Sequence, residues 1–271
     1  MGSTLLAYPD LTRDAATTLS GGSWSAGLPL ANLKDRVIKK VARSTNDDAA
    51  STQWVSDMGA AVDTNILALL GHNISLAGTI RVRAYSDSGL TTMVHDTGIL
   101  YAWPQTFGAA ELATYPNHWV LPLAAIVTAQ YWKWEIVDTA NAAGYVEVGR
   151  AWMGPVWSPT IGAGYGAELG YEARATVTES LGGVLWSDGK LPRRATTITF
   201  PSLDDESERD TAMIFQKTIG NSGEVLYVES TSHDAKRLLL YAFPATVRQP
   251  SKIRMASFNA NELPMELIES L

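Results

Sequence analysis

Short runs in which every second residue is apolar recur along this chain, set apart by Gly, Asn, Asp and Pro. A period of two buries one face only in a β-strand. In Gln130 to Val137 (QYWKWEIV), Trp132, Trp134 and Ile136 share a face opposite Lys133 and Glu135. In Thr79 to Tyr85, Ile80, Val82 and Ala84 oppose Arg81, Arg83 and Tyr85, and Tyr145 to Met153 alternates again. Thr64 to Leu70 (TNILALL) is apolar at both parities, which predicts a strand covered on both sides. No long helical period interrupts this region apart from a short turn around Leu30 to Arg36. An antiparallel, all-β sandwich is the architecture these runs specify.

The sharpest change in composition is Gly154 to Gly166 (GPVWSPTIGAGYG), where four glycines and two prolines fall in thirteen residues. Such a stretch predicts a linker. It divides the chain into a sandwich domain over 1–153, a linker over 154–166 and a second domain over 167–271. A chain of 271 residues and 29.2 kDa is long enough for two cores. As one compact body it would expose about 11,000 Å². In the second domain, strands are predicted at Leu169 to Val177, Gly183 to Ser187, Arg194 to Phe200, Glu224 to Ser230, Arg237 to Phe243, Ile253 to Phe258 and Leu263 to Glu269. One helix is predicted over Asp204 to Ile219. Ser202, Leu203, Asp204 and Asp205 make a capping-box-like start, Ala212, Phe215 and Ile219 form one apolar stripe, and Gly220 supplies a stop. The expected fold class is mainly β: an N-terminal jelly-roll sandwich, then a β-sandwich or barrel-like domain with one α-helix.

Charge and residue usage exclude several classes. Lys plus Arg is 21 and Asp plus Glu is 28, a net charge of −7, with no basic stripe of the kind that grips nucleic acid through its phosphates. With no cysteine, disulfide scaffolds, cysteine nucleophiles and Cys-based metal centres are excluded. The first ten residues (MGSTLLAYPD) carry neither a signal peptide pattern nor a myristoylation signal, and no apolar run approaches a membrane span. A soluble chain is expected.

The usual catalytic patterns are missing too. His72, His95, His118 and His233 stand at no metal-binding spacing and read as structural or surface residues. No G-x-S-x-G elbow occurs, and Gly162, Gly164 and Gly166 lack the strand and helix a dinucleotide loop needs. Among Asp47, Asp48, Asp57, Asp63 and Glu135, no spacing picks out an acid/base pair. No catalytic, cofactor-binding or metal-binding residue is assigned, and the chain is not expected to be an enzyme. Nine tryptophans remain, eight of them before Pro159. Indoles stack on sugars and concentrate at interfaces, but alternating ones such as Trp132 and Trp134 also fill cores. Trp24, Trp54, Trp103 and Trp119 are the candidate contacts for a glycan or a protein.

Two resemblances follow from these segments. Leu30 to Asp35 (LANLKD), Ser51 to Ser56 (STQWVS), Ile66 to Gly71 with Thr79 to Tyr85, and Tyr131 to Met153 resemble a discoidin-type, galactose-binding-like jelly roll over about half the chain. The helix after Asp204, the segments Glu224 to Ser230 and Arg237 to Phe243, and the final Leu263 to Leu271 resemble the tube-type fold of long-tailed bacteriophage distal tail and baseplate proteins. That second resemblance implies a structural virion protein of the tail tip, assembled in the host bacterial cytoplasm. It would form a hexameric or trimeric ring of itself, linking the tail tube to hub or receptor-binding proteins, with tube, hub and tape-measure proteins as neighbours. The acidic balance suits a channel wall that DNA passes without adhering. The alternative is a carbohydrate-binding adhesin for a bacterial surface glycan. Neither reading involves a cofactor, sequence-specific nucleic acid or a membrane span.

Overall fold

The structure is a computed structural model and describes residues 3–204, 207–248, 250–257 and 260–271. In chain order the strands of the first half are β1 (Leu5–Ala7), β2 (Thr18–Ser20), β3 (Ala42–Arg43), β4 (Gln53–His72), β5 (Thr79–Tyr85), β6 (Met93–Asp96), β7 (Leu100–Tyr101), β8 (His118–Val137) and β9 (Glu147–Gly154). The second half contributes β10 (Val156–Trp157), β11 (Glu168–Glu172), β12 (Thr176–Glu179), β13 (Leu185–Asp188), β14 (Arg193–Leu203), β15 (Glu224–Val228), β16 (Ala242–Val247), β17 (Arg254–Ser257) and β18 (Ala260–Glu269). Among the described residues three α-helices accompany them: α1 (Ala109–Thr114), α2 (Glu208–Ile219) and α3 (Ala235–Tyr241). The fold is mainly β, with sandwiched sheets.

Two strands of 20 residues build the sandwich, because each serves both of its layers. The first part of β4 pairs with β2 and with the end of β8, and the second part pairs with β9 and the beginning of β8. Between the two parts the register shifts at Asp57/Val62 and at Thr64/Ile66, and Gly59 takes φ +76 there, a conformation that favours glycine. Trp54 and Trp134, paired across β4 and β8, stack at 5.3 Å, and Trp119 from the opposite layer meets Trp134 edge-on at 6.4 Å.

Beyond the sandwich lies a second sheet, ordered β10-β1-β15-β16-β18-β14-β11. Alternation in β4 decides how the two join. Leu67 and Leu69 point into the sandwich core, while Ile66, Ala68 and Leu70 join a separate core with Leu5, Ala7, Leu226, Val228 and Ala242 of the second sheet. The far side of that sheet (Leu6, Phe200, Tyr227, Phe243) receives Ala212, Phe215 and Ile219 of α2. Four layers therefore alternate with three cores: sheet, sheet, sheet, helix.

The seam between second and third layers also holds charge. Arg150 of β9, fully buried, donates to Asp10 from Nε at 3.0 Å and from Nη2 at 2.8 Å, and to Glu224 of β15 from Nη1 at 2.8 Å. Arg36 reaches Glu224 at 3.0 Å, and the Arg150 guanidinium lies 4.3 Å from the Trp152 ring centre. Buried charges persist only when paired and hydrogen-bonded, so this cluster ties the two units in one register.

Several expectations are corrected. Leu5–Ala7 lies in the second sheet, paired with β10 and β15, although it precedes the sandwich in sequence. Val156–Trp157, within the expected linker, is a strand of that sheet, and Trp157 packs on Phe200 and Phe215 at 5.8 and 5.2 Å. Its apolar pair outweighs the surrounding Gly and Pro. The second half carries two helices, not one. Arg237 to Tyr241, expected as strand, belongs to α3, whose N-cap Asp234 accepts from the Arg237 backbone N–H. The expected helix start is too early: Ser202 lies in β14 and α2 begins after Ser207, while Asp205 and the strand-end Phe258 lie outside the described residues. The apolar stripe of α2 and its stop at Gly220 (φ +54) stand as expected.

One element is uncovered. The two-stranded hairpin of β12 and β13 joins neither large sheet, and residues 173–192 are all exposed. Val177, Leu181, Val184, Leu185 and Trp186 stand in solvent on this arm. The chain exposes 13,352 Å², more than the roughly 11,000 Å² of a compact body of this mass.

Candidate functional site

A cavity of about 430 Å³ opens where the sandwich meets the second unit, within the size range of small-ligand sites. The sandwich supplies Tyr101 at the end of β7, Trp103 just after it, and His118 and Trp119 at the start of β8. The second unit supplies Thr231 and His233 from the turn after β15, and Ala235 and Leu238 from α3. Helix α3 is fixed in this position by its own side chains, because Leu239 enters the sandwich core and Leu238 the inter-sheet core.

Each aromatic wall is anchored from behind. Trp103 donates from Nε1 to the Ile74 carbonyl at 2.7 Å and meets His72 edge-on at 5.3 Å. Trp119 rests on Trp134. Both indoles are largely buried and show the cavity only part of their surface, whereas Tyr101 is half exposed. On the opposite wall His233 Nε2 and Glu229 Oε2 are 2.7 Å apart, and Thr231 Oγ1 accepts from the Ser3 backbone N–H at 3.1 Å. Burial drives His72 and His118 down to about 3, so both rings are neutral near pH 7. The ring of His118 is held at Nδ1, which lies 3.0 Å from the Asn117 carbonyl and 3.2 Å from the Gly71 backbone nitrogen.

Of the four candidate tryptophans, the structure brings Trp103 and Trp119 together in this cavity. Trp54 is removed from the set: it is wholly enclosed between Trp24 and Trp134 and has no surface for a ligand. Trp24 is half-buried, donates from Nε1 to the Gly21 carbonyl at 3.1 Å, and does not line the cavity. Trp132 and Trp134 fill the core. The exposed tryptophan is Trp186 on the arm, which is not among the four candidates. His233, Thr231 and α3 were missed as well, since their approach to Trp103 is a tertiary event.

Flat apolar walls face hydroxyl and imidazole groups, and no two carboxylates line the cavity. Among the described residues no group of three His, Cys, Asp or Glu could hold a metal ion. Three of the five carboxylates noted in sequence are engaged elsewhere: Asp57 accepts from Gln130 at 2.9 Å, Asp63 from Thr128 at 2.6 Å, and Glu135 from Arg83 at 2.6 Å. Burial raises the Glu135 pKa, but the hydrogen bonds from Arg83 and Lys133 prevail and hold it below the usual carboxylate range.

No protein-family model matches the sequence, and no curated protein does. Solved structures do. A family 32 carbohydrate-binding module of NanJ from C. perfringens, in complex with galactose, is similar over 55% of this chain and 98% of its own, at 15% identity and TM-score 0.40. Another family 32 module produced by Clostridium perfringens covers 54% of this chain and 98% of its own, at 10% identity and TM-score 0.39. The lectin binding domain of Lectinolysin, as a His 62 mutant complexed with Lewis b, covers 55% and 97%, at 13% identity and TM-score 0.38. Almost the whole of each of these domains corresponds to about half of this chain.

Proposed function

We propose that this protein binds a carbohydrate in the cavity between β7, β8 and α3, and does so without turnover. The observation that carries the reading is the convergence of Tyr101, Trp103 and Trp119 on one cavity of about 430 Å³ beside Thr231, His233 and His118. A sugar ring has apolar C–H faces and a rim of hydroxyls, so it is complementary to aromatic surface bordered by hydrogen-bonding groups. A glycan array probed with the full chain tests this directly. Retention of a discrete set of glycans is expected, and uniform background would refute it.

A second reading is favoured by a different observation, the bare apolar arm. An isolated two-stranded hairpin is marginal in water, and exposed apolar surface on such an element marks an interface. In this reading the protein is an assembly component, a ring subunit of a bacteriophage tail tip that contacts its own copies and the neighbouring tube and hub proteins. Its place would then be the virion. Sedimentation velocity at rising concentration separates the readings, because a ring subunit shifts to a discrete oligomer and a monomeric lectin-like module does not.

A further inference from the structure

At the base of the arm lies a second cavity, of about 400 Å³, separate from the carbohydrate cavity but sharing His118 with it. Three cations line it, each from a different loop: Lys39 before β3, Arg174 between β11 and β12, and Lys190 between β13 and β14. Among the described residues none of the three has an acidic partner. The carboxylate of Glu269 also lines the cavity but is taken by Arg194, which reaches it from both its guanidinium and its backbone N–H. Even with a carboxylate at Leu271, two positive charges stay unmatched. In a chain of net charge −7 this concentration of positive charge is local. Ser270, also in the lining, has a buried hydroxyl without a hydrogen-bond partner. His118 presents a neutral imidazole, and Ile38 and Leu191 give an apolar border.

From this grouping we infer that the cavity is an oxyanion site, built for a phosphate-bearing ligand. Arg174 offers a planar fork of donors and the two lysines offer point charges. Such a group is drawn by charge and fixed by geometry, so its binding weakens as salt rises.

The probe is inorganic phosphate, titrated into the full chain by isothermal calorimetry at low ionic strength. Acetate and citrate serve as carboxylate controls, and R174Q/K190Q is the variant. Both substituted side chains are exposed, so the fold is retained, and circular dichroism verifies it. Saturable phosphate binding that falls at least tenfold in the variant, and that weakens with added NaCl, is expected. Absence of saturation, or equal affinity in the variant, overturns the site. Tighter binding of the carboxylate probes than of phosphate overturns the assignment to phosphate. Glycan retention on the array is independent of all these outcomes, so this proposal and the carbohydrate reading fail separately.

Discussion

The second layer of the stack and the β12–β13 arm are both alternating β-structure rich in Leu, Val and Trp, yet one is dry on both faces and the other wet on both. In the second layer Leu67 and Leu69 face one core and Ile66, Ala68 and Leu70 another, with Arg150 matched by two carboxylates in between. In the arm Val177, Leu185 and Trp186 join none of the three cores and meet only the arm's own partner strand. Apolar content alone therefore does not place a strand inside. Burial comes from long partners that bring a second sheet over it, and the arm has only itself. The layer carries stability, and the arm adds nothing to any core.

The difference is broken most severely at Arg150. Arg150→Ala leaves Asp10 buried without its cation and Glu224 with Arg36 in place of a fully buried partner, and is expected to cost about 3–5 kcal/mol, read as a lowered urea midpoint. A loss under 1 kcal/mol would show that the seam does not depend on this cluster. Acid acts next. His72 and His118 stay neutral in the folded chain down to about pH 3, while in the unfolded chain they take a proton near pH 6.5. Stability is complete above pH 6.5 and is lost as pH falls toward 3, by about 2 kcal/mol per histidine at pH 5. His72→Asn keeps an acceptor for the Ile74 backbone N–H and should reduce that slope by about half, measured by denaturant unfolding at pH 7 and pH 5. The smallest effect is in the arm. Replacing Leu181, Leu185 and Trp186 with Ser should change stability by less than about 0.5 kcal/mol, since these side chains are mostly exposed and belong to no core. If the arm makes the intersubunit contact, the same variant sediments as a monomer where the parent associates.

Much of the layering was legible from local pattern. Both parities of Thr64 to Leu70 being apolar meant two cores, and Trp132 with Trp134 meant an inward face. The α2 stripe was equally direct. Other features were set by distance in sequence. Leu5–Ala7 is too short to announce which sheet it joins, and only pairing with Leu226 to Val228 places it. The run LLLYAF reads as strand until Asp234 caps a helix in front of it. The arm alternates like its buried counterparts, so its exposure is invisible locally. The cavity was half visible: Trp103 and Trp119 were nominated by residue type, but His233 and Thr231 reach them only through the docking of α3.

The carbohydrate reading is tested most directly by filling the cavity without touching its aromatic walls. Ala235 lines it from the exposed start of α3, so Ala235→Trp places an indole in the space a sugar would take. Calorimetric titration with a glycan retained on the array is expected to show saturable binding to the parent chain and at least a tenfold loss in this variant, with unfolding unchanged. Equal affinity in the two proteins would place the glycan elsewhere and contradict the assignment of this cavity.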